Sequence, residues 1–261
     1  MDPQPQLYRD PALYDLIHAD GTDADVLLLD TLAQRHGNGG RRALEPACGS
    51  GRYLSGLLRR GWTVAGYDLS PEMVAYARKR LAQWGKRVHI MRGDMTRVRP
   101  PQKYDLAFNL LSTFRHLLTE RQAAAHLRIT GDALNPGGIY VLGLDLAVYG
   151  EDQADEEVWT ARRGEKTVNH VMMTLPPEPD LRRERVMNFV SFPGRRGEKV
   201  LKSFYDLRSY DAGEIEGLIE RTDFSLAACY GYDGSPATLR GPERALWLVL
   251  LKSGEKRGRH R

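Results

Sequence analysis

Over residues 1–145, short apolar runs alternate with stretches of helical periodicity. Residues 42–46 run apolar and close on Glu45 and Pro46. Tyr53, Leu54, Leu57 and Leu58 then recur at helical spacing, and 63–67 form a second apolar run that stops on Asp68. This predicts strand, glycine turn, helix, strand. Ser70 is placed as an N-cap with Pro71 at the first helical position and Glu72 in the first turn. A helix is expected to about Trp84, with Met73, Val74, Ala77 and Leu81 as its buried stripe. Third and fourth strands are read at 88–92 and 104–109. A helix over 120–134 leads through Asn135-Pro136-Gly137-Gly138 into a fifth strand at 139–145. Ahead of all this, 8–18 spaces Leu13, Leu16 and Ile17 on one helical face, with Asp10 to cap and Pro11 in the first turn. Thr22 is read as the cap of a longer helix, 23–35, with Val26, Leu29, Leu32 and Ala33 inward. Strands alternating with helices in this way imply a parallel sheet covered on both faces.

The pattern changes at residue 151. Four runs, 157–163, 166–174, 182–192 and 199–208, alternate or are rich in β-branched and aromatic residues. They are separated by Arg163-Gly164-Glu165, a Pro-rich stretch over 176–180, and Pro193-Gly194-Arg195-Arg196-Gly197. Such punctuation predicts hairpins, hence an antiparallel sheet inserted into the parallel one. Helical periodicity returns over 211–222, and 224–230 and 245–251 read as a closing strand pair. The expected organisation is an N-terminal lid helix (1–22), a core from 23–150 and 209–252, an antiparallel β insertion (151–208) and a basic, disordered tail (253–261).

Gly49 and Gly51 sit in the first turn, where glycine lets backbone approach a ligand and the following helix offers unpaired N–H groups. Asp68, at the tip of the next strand, is placed to accept both hydroxyls of a ribose. A nucleoside site follows. The dinucleotide fingerprint G-x-G-x-x-G also has an acid about 20 residues on, but Leu54 occupies its third glycine position.

Composition narrows the classes. The 261 residues are 41% hydrophobic and 28% charged, and the longest apolar run near the end, 246–251, is far too short for a membrane span. The first residues, Met1-Asp2-Pro3-Gln4-Pro5-Gln6, show no secretory pattern, so the expectation is a cytoplasmic protein with no membrane partner. Cys48 and Cys229 are too few for a disulfide framework or zinc site, and no metal is expected. Of the formal charge of +4, most lies in the tail with Lys256, Arg257, Arg259 and Arg261, so the body is nearly neutral and no nucleic acid is expected. A P-loop Gly-Lys-Ser/Thr is absent.

The stretch Glu45-Pro46-Ala47-Cys48-Gly49-Ser50-Gly51 resembles motif I of the class I S-adenosylmethionine (SAM) dependent methyltransferases, in the variant with Ala at the first glycine. Gly93-Asp94 after the third strand, the fourth-strand end at Asn109, the N-P-G-G turn and Tyr230-Gly231-Tyr232-Asp233-Gly234-Ser235-Pro236 extend the resemblance, toward bacterial amino-sugar and glycine N-methyltransferases. It implies a Rossmann-like α/β fold with a seven-stranded sheet whose last strand is antiparallel. It also implies SAM as cofactor, with S-adenosylhomocysteine (SAH) as product. Glu45, Gly49 and Gly51 would hold the methionine part, Asp68 the ribose and Asp94 the adenine, with Ala47, Arg52, Leu69, Met73, Met95 and Asn109 as further contacts. Tyr14 would face the site from the lid, and the insertion would cover a small-molecule substrate and serve as a possible homodimer contact. DNA or RNA amino-methyltransferases carry Asn/Asp-Pro-Pro-Tyr/Phe where this chain has Asn109-Leu110-Leu111-Ser112.

Methyl transfer from a sulfonium mainly requires alignment and exclusion of water, with the nucleophilic amine unprotonated. His116, just past the fourth strand, is the candidate base or orienting group, and Arg115 the candidate holder of a substrate anion. Tyr14, Tyr230 and Tyr232 are expected to form a polar-aromatic wall around the amine. Two other readings stay open: a nicotinamide-dependent oxidoreductase, and a non-catalytic SAM-binding protein whose insertion is an interaction surface.

Overall fold

The computed structural model describes residues 6–150, 153–164, 166–192 and 199–253. The third hairpin turn of the insertion and the basic tail beyond Ser253 lie outside the described residues. The first five strands are β1 (Arg42–Pro46), β2 (Thr63–Asp68), β3 (Val88–Arg92), β4 (Tyr104–Asn109) and β5 (Leu134–Asp145). They pair in parallel in the order β5-β4-β1-β2-β3. Two later strands, β10 (Phe224–Gly231) and β12 (Ala245–Lys252), close the sheet. β12 runs antiparallel between β5 and β10, and the two-residue β11 (Pro236–Ala237) adds an eighth strand at the edge. So short a strand has no periodicity, and nothing in the sequence marks it.

Among the described residues six α-helices accompany the strands: α1 (Pro11–His18), α2 (Thr22–His36), α3 (Arg52–Arg59), α4 (Pro71–Leu81), α5 (Glu120–Ala133) and α6 (Ala212–Glu220). Val26, Leu29 and Leu32 of α2 pack with Leu54, Leu57 and Leu58 of α3 and Ala77 and Leu81 of α4 against one sheet face. Leu127 of α5 and Ile215, Leu218 and Ile219 of α6 cover the other. β2 shows the division: Val64 faces the first core, Ala65 and Tyr67 the second. Two predicted helix ends differ. Thr22 is the first residue of α2 rather than its cap; Gly21, at φ 78°, holds that position, and the Thr22 hydroxyl donates to Ala19 O. α4 ends at Leu81, and a 3₁₀ turn with Gly85 in non-helical geometry continues to Arg87.

The insertion forms a sheet of its own rather than joining the parallel one. It consists of β6 (Asp155–Arg163), β7 (Lys166–Thr174), β8 (Arg183–Phe192) and β9 (Lys199–Arg208), paired in chain order as a meander. On β8, buried Val186, Asn188 and Val190 alternate with half-buried Met187 and Phe189, so one face is turned inward. Leu13 and Ile17 of α1 meet Val168 and Val190 on that face in a third, smaller core. The lid helix therefore lies between the inserted sheet and the strand tips.

Candidate active site

The strand order reverses between β1 and β4, and the crevice opens at the carboxyl ends of the strands there. β1 and β2 are in register with Glu45 opposite Gly66 and Pro46 opposite Tyr67, so the two acid-bearing tips lie side by side. Between them the turn takes left-handed backbone at Ala47 (φ 51°), Gly49 (φ 49°) and Gly51 (φ 72°). Gly49 N–H donates to the Asp68 carboxylate at 2.8 Å, and Ser70 N–H to its other oxygen at 2.8 Å. Asp68 is thereby fixed by backbone on both oxygens, which have further lone pairs for a ligand. Leu54 at the third fingerprint position is accommodated from the opposite side. A Cβ on Gly66 would lie 2.8 Å from Leu54 Cδ1 and from Cys48 Cβ, so the strand supplies the glycine that the helix lacks.

Two connected spaces result. The larger, about 310 Å³, is lined by Tyr14, Ala47, Gly49, Asp68, Leu69, Met73, Asp94, Met95 and His116, all expected from the sequence. Tyr8, Ser70, Thr96, Thr113, Leu117 and Gln122 line it as well and were not singled out. Asp94 is held as an Asx turn, one oxygen accepting from Thr96 N–H (2.8 Å) and hydroxyl (2.7 Å). The smaller space, about 20 Å³, shares Tyr14, Ala47, Gly49 and Thr113 with the first and adds Glu45, Arg52 and Asn109. Gly51 lines neither; it is the N-cap of α3, packed against Ala77.

Glu45 is the informative group. Its carboxyl is buried, one oxygen has no hydrogen-bond partner, and burial raises its pKa well above the carboxylate range, opposed by Arg52. A buried orphan acceptor is costly unless something else pairs with it. An ammonium in the narrow space would do so. Asn109 is committed to the scaffold: its amide donates to Pro46 O at 2.5 Å and accepts from the Tyr140 hydroxyl at 2.7 Å. The residues therefore fit SAM: an orphan acid for an amino-acid ammonium, and two acids and apolar side chains around a nucleoside-sized cavity.

The lid is latched to the glycine turn. Asp15 of α1 is buried and pairs with Arg80, accepts from the Ser50 hydroxyl, and accepts from Tyr76 at 3.1 Å. Tyr14, its neighbour, faces the crevice, and burial pushes its hydroxyl pKa up to about 12. His116 also faces it, held neutral by burial and then by Arg115, with its pKa lowered to about 4.

Other expected residues lie elsewhere. Arg115 points away from the crevice: it pairs with Glu184 of β8, donates to Arg208 O at 3.0 Å, and is 3.9 Å from Asp145. It fastens the insertion to the core. Tyr230 bonds His36 (2.9 Å) and Arg35 (3.2 Å) away from the site, and Tyr232 packs on Trp247. A larger open groove, about 910 Å³, runs behind α1 along α3 and β6, and holds two internal ion pairs, Arg59 with Asp23 and Arg80 with Asp15. It lies off the strand tips. Among the described residues no group of three or more His, Cys, Asp or Glu is placed to hold a metal.

The parallel sheet, its antiparallel closing strand and the glycine turn with two flanking acids define a Rossmann-like methyltransferase fold. Residues 43–138 match the family described as a methyltransferase domain. Over 99 residues the chain is 30% identical to a dTDP-3-amino-3,4,6-trideoxy-α-D-glucopyranose N,N-dimethyltransferase of Streptomyces venezuelae, covering 38% of this chain and 40% of that one. Over 133 residues it is 29% identical to a dTDP-3-amino-3,6-dideoxy-α-D-glucopyranose N,N-dimethyltransferase of Streptomyces fradiae, covering 50% and 51%. The chain spans about half the length of the curated relatives it matches. The solved SAM-bound CalS10, an amino pentose methyltransferase from Micromonospora echinaspora, superposes over 93% of this chain and 95% of its own with a TM-score of 0.73 at 21% identity, which is a likeness of fold.

Proposed function

We propose that this protein transfers a methyl group from SAM to an amine nitrogen of a small, sugar-like acceptor. The observation that carries the reading is the Glu45 carboxyl, one oxygen unpartnered, in a narrow space that shares its lining with a cavity bounded by Asp68 and Asp94. The names of the two Streptomyces relatives support the amine and the sugar. Bound SAM supplies an electrophilic methyl on an activated leaving group. The chain's own contribution is to hold the two ends of the cofactor, to exclude water with Tyr8 and Tyr14 of the lid segment, and to offer neutral His116 near the acceptor. No carboxylate lines the cavity apart from Asp68 and Asp94, so an amine entering beneath the lid is better accommodated neutral, as attack requires.

Calorimetric titration with SAM and SAH, followed by turnover of labelled SAM with a panel of nucleotide-linked amino sugars, tests this. Label transferred to an amino sugar supports it. Stabilisation by NADPH and not by SAM in a thermal-shift assay points to the oxidoreductase, and SAM binding without transfer to any acceptor to the binding protein. We further infer a homodimer through the insertion, because its outer face exposes Val158 and Phe204, with Phe189 beside Phe204 at 6.2 Å. Light scattering on Phe204→Lys, monomeric where the parent is dimeric, checks it. On localisation, no described helix is long and apolar enough to cross a membrane.

A further inference from the structure

The inner face of the inserted sheet carries a polar pair in an otherwise apolar row. On β8, buried Val186, Asn188 and Val190 stand opposite Tyr205, Ser203 and Leu201 of β9. On β7, buried Val168 and His170 share that face. Asn188 and His170, 2% and 1% exposed, meet each other: His170 Nε2 lies 2.7 Å from Asn188 Oδ1. Their remaining polar atoms, His170 Nδ1 and Asn188 Nδ2, have no hydrogen-bond partner. A carbonyl oxygen only accepts, so Nε2–H donates to it and Nδ1 is left as a lone pair, while the amide keeps its N–H groups. Turning the amide over exchanges the two roles and leaves the same complement, a donor beside an acceptor. Burial lowers the His170 pKa in spite of the opposing effect of Asn188, which keeps the ring neutral, as that complement requires. Tyr205 is close enough to feel the Asn188 amide, but an amide nitrogen carries two N–H groups and one phenol oxygen cannot occupy both.

Rings join the pair to two walls of the crevice. On one side Trp159 lies edge-on to His170 at 4.2 Å, and His18, 6.4 Å from His170, packs at 4.5 Å on Tyr14. On the other, Tyr205 lies 5.2 Å from His116, and both Tyr14 and His116 line the larger cavity. Orphaned polar atoms so deeply buried are costly unless something pairs with them. A donor beside an acceptor is the complement of a hydroxyl, which gives and receives at one oxygen.

We propose that His170 and Asn188 are specificity-determining residues that recognise a ring hydroxyl flanking the acceptor's amine. The inference rests on the methyltransferase reading and narrows it: the acceptor is an amino sugar that keeps a free hydroxyl next to the nitrogen to be methylated. With that nitrogen at the strand tips beside His116, a hydroxyl on a neighbouring carbon is the one turned toward the sheet above. A sugar deoxygenated there leaves both buried atoms unpaired, and the site discriminates against it on that ground.

The test is calorimetric titration of the full chain, with and without SAH, by two dTDP-linked amino sugars, one with and one without hydroxyls on the carbons flanking the amine. The parent should bind the hydroxylated sugar about tenfold or more tightly than its deoxy counterpart. Asn188→Leu should bring the two affinities within about twofold of each other by weakening the first, and leave SAH affinity unchanged. His170→Phe, which keeps a ring against Trp159, is the second route should Asn188→Leu not fold. Equal binding in the parent, a preference that survives in a folded variant, or binding of neither sugar would overturn the proposal. A parent that binds no SAH and still prefers the hydroxylated sugar loses the methyltransferase reading and keeps the pair.

Discussion

The floor of the crevice and its roof are built by different means. The floor is strand tips and a glycine turn held by backbone: Asp68 by Gly49 and Ser70 N–H, the turn by left-handed residues, the strands by parallel register. The roof is side chains from distant segments held by ion pairs and hydrogen bonds: Arg115 to Glu184, Asp15 to Arg80 and Ser50, Tyr8 to His116. On the proposed function, backbone would fix the cofactor end, and side-chain latches would fix the acceptor end, as a lid that admits substrate requires.

That contrast can be broken by mutation. The largest effect is expected from Arg115→Met, which leaves the Glu184 carboxylate buried and unpaired beneath the insertion. Losing one partner of a buried pair costs ~3–5 kcal/mol, so the denaturation midpoint should fall clearly. SAH affinity of the folded variant, set by the floor, should stay within about threefold, a shift of under ~1 kcal/mol. A large loss of SAH affinity would show that floor and roof are one unit. Asp68→Ala acts on the floor: removing a charge-assisted pair of ~1.5–3 kcal/mol should weaken SAM binding tenfold or more, and the midpoint should fall as well, because the Gly49 and Ser70 N–H groups lose their acceptor. Gly66→Ala forces a methyl against Cys48 and Leu54 and should cost ~1–3 kcal/mol of stability.

A smaller, distributed effect is expected from pH. Burial holds His116 and His126 down to about 4 and His18 down to about 3, against 6.5 for an exposed imidazole. Below about pH 6.5 the unfolded chain takes up protons that the folded chain refuses, so the stabilising contribution, complete above that pH, is lost as pH falls toward 4. Glu45 and Asp68, raised by burial, act in the opposite sense, gaining protons in the folded state at higher pH than in the unfolded chain and offsetting part of that loss. Melting temperatures at pH 7.5 and 5.5 should therefore fall on acidification, and His18→Asn should flatten the fall. A flat profile in the parent would mean that these rings are more solvated than the roof implies.

The same division governs what the sequence reveals. Floor residues are announced locally: an acid ending an apolar run, glycines in the next turn, Ser70-Pro71 at a helix start whose cap bond is formed, Ser70 accepting from Met73 N–H. Every cofactor residue so named lines the crevice or shapes its turn. Roof residues carry no such mark. Tyr8 sits in a four-residue 3₁₀ turn without periodicity, Arg115 reads like any arginine beside a loop, and only folding brings Glu184 to it. Gly66 looked like an unremarkable strand glycine until Leu54 was placed against it. The insertion was legible as an antiparallel unit of hairpin strands, because alternation is local, but its contacts with α1 and with Arg115 were not, because they join distant segments.

The measurement closest to the central claim is calorimetry of SAH binding in buffers of different ionisation enthalpy, on the parent and on Glu45→Gln. The account predicts binding with release of protons, as the ammonium pulls the buried Glu45 carboxyl back toward its ionised form, and no release in the variant. Binding without proton release, or release that persists in Glu45→Gln, would contradict the assignment of the orphan carboxyl, and absence of binding would contradict the site itself.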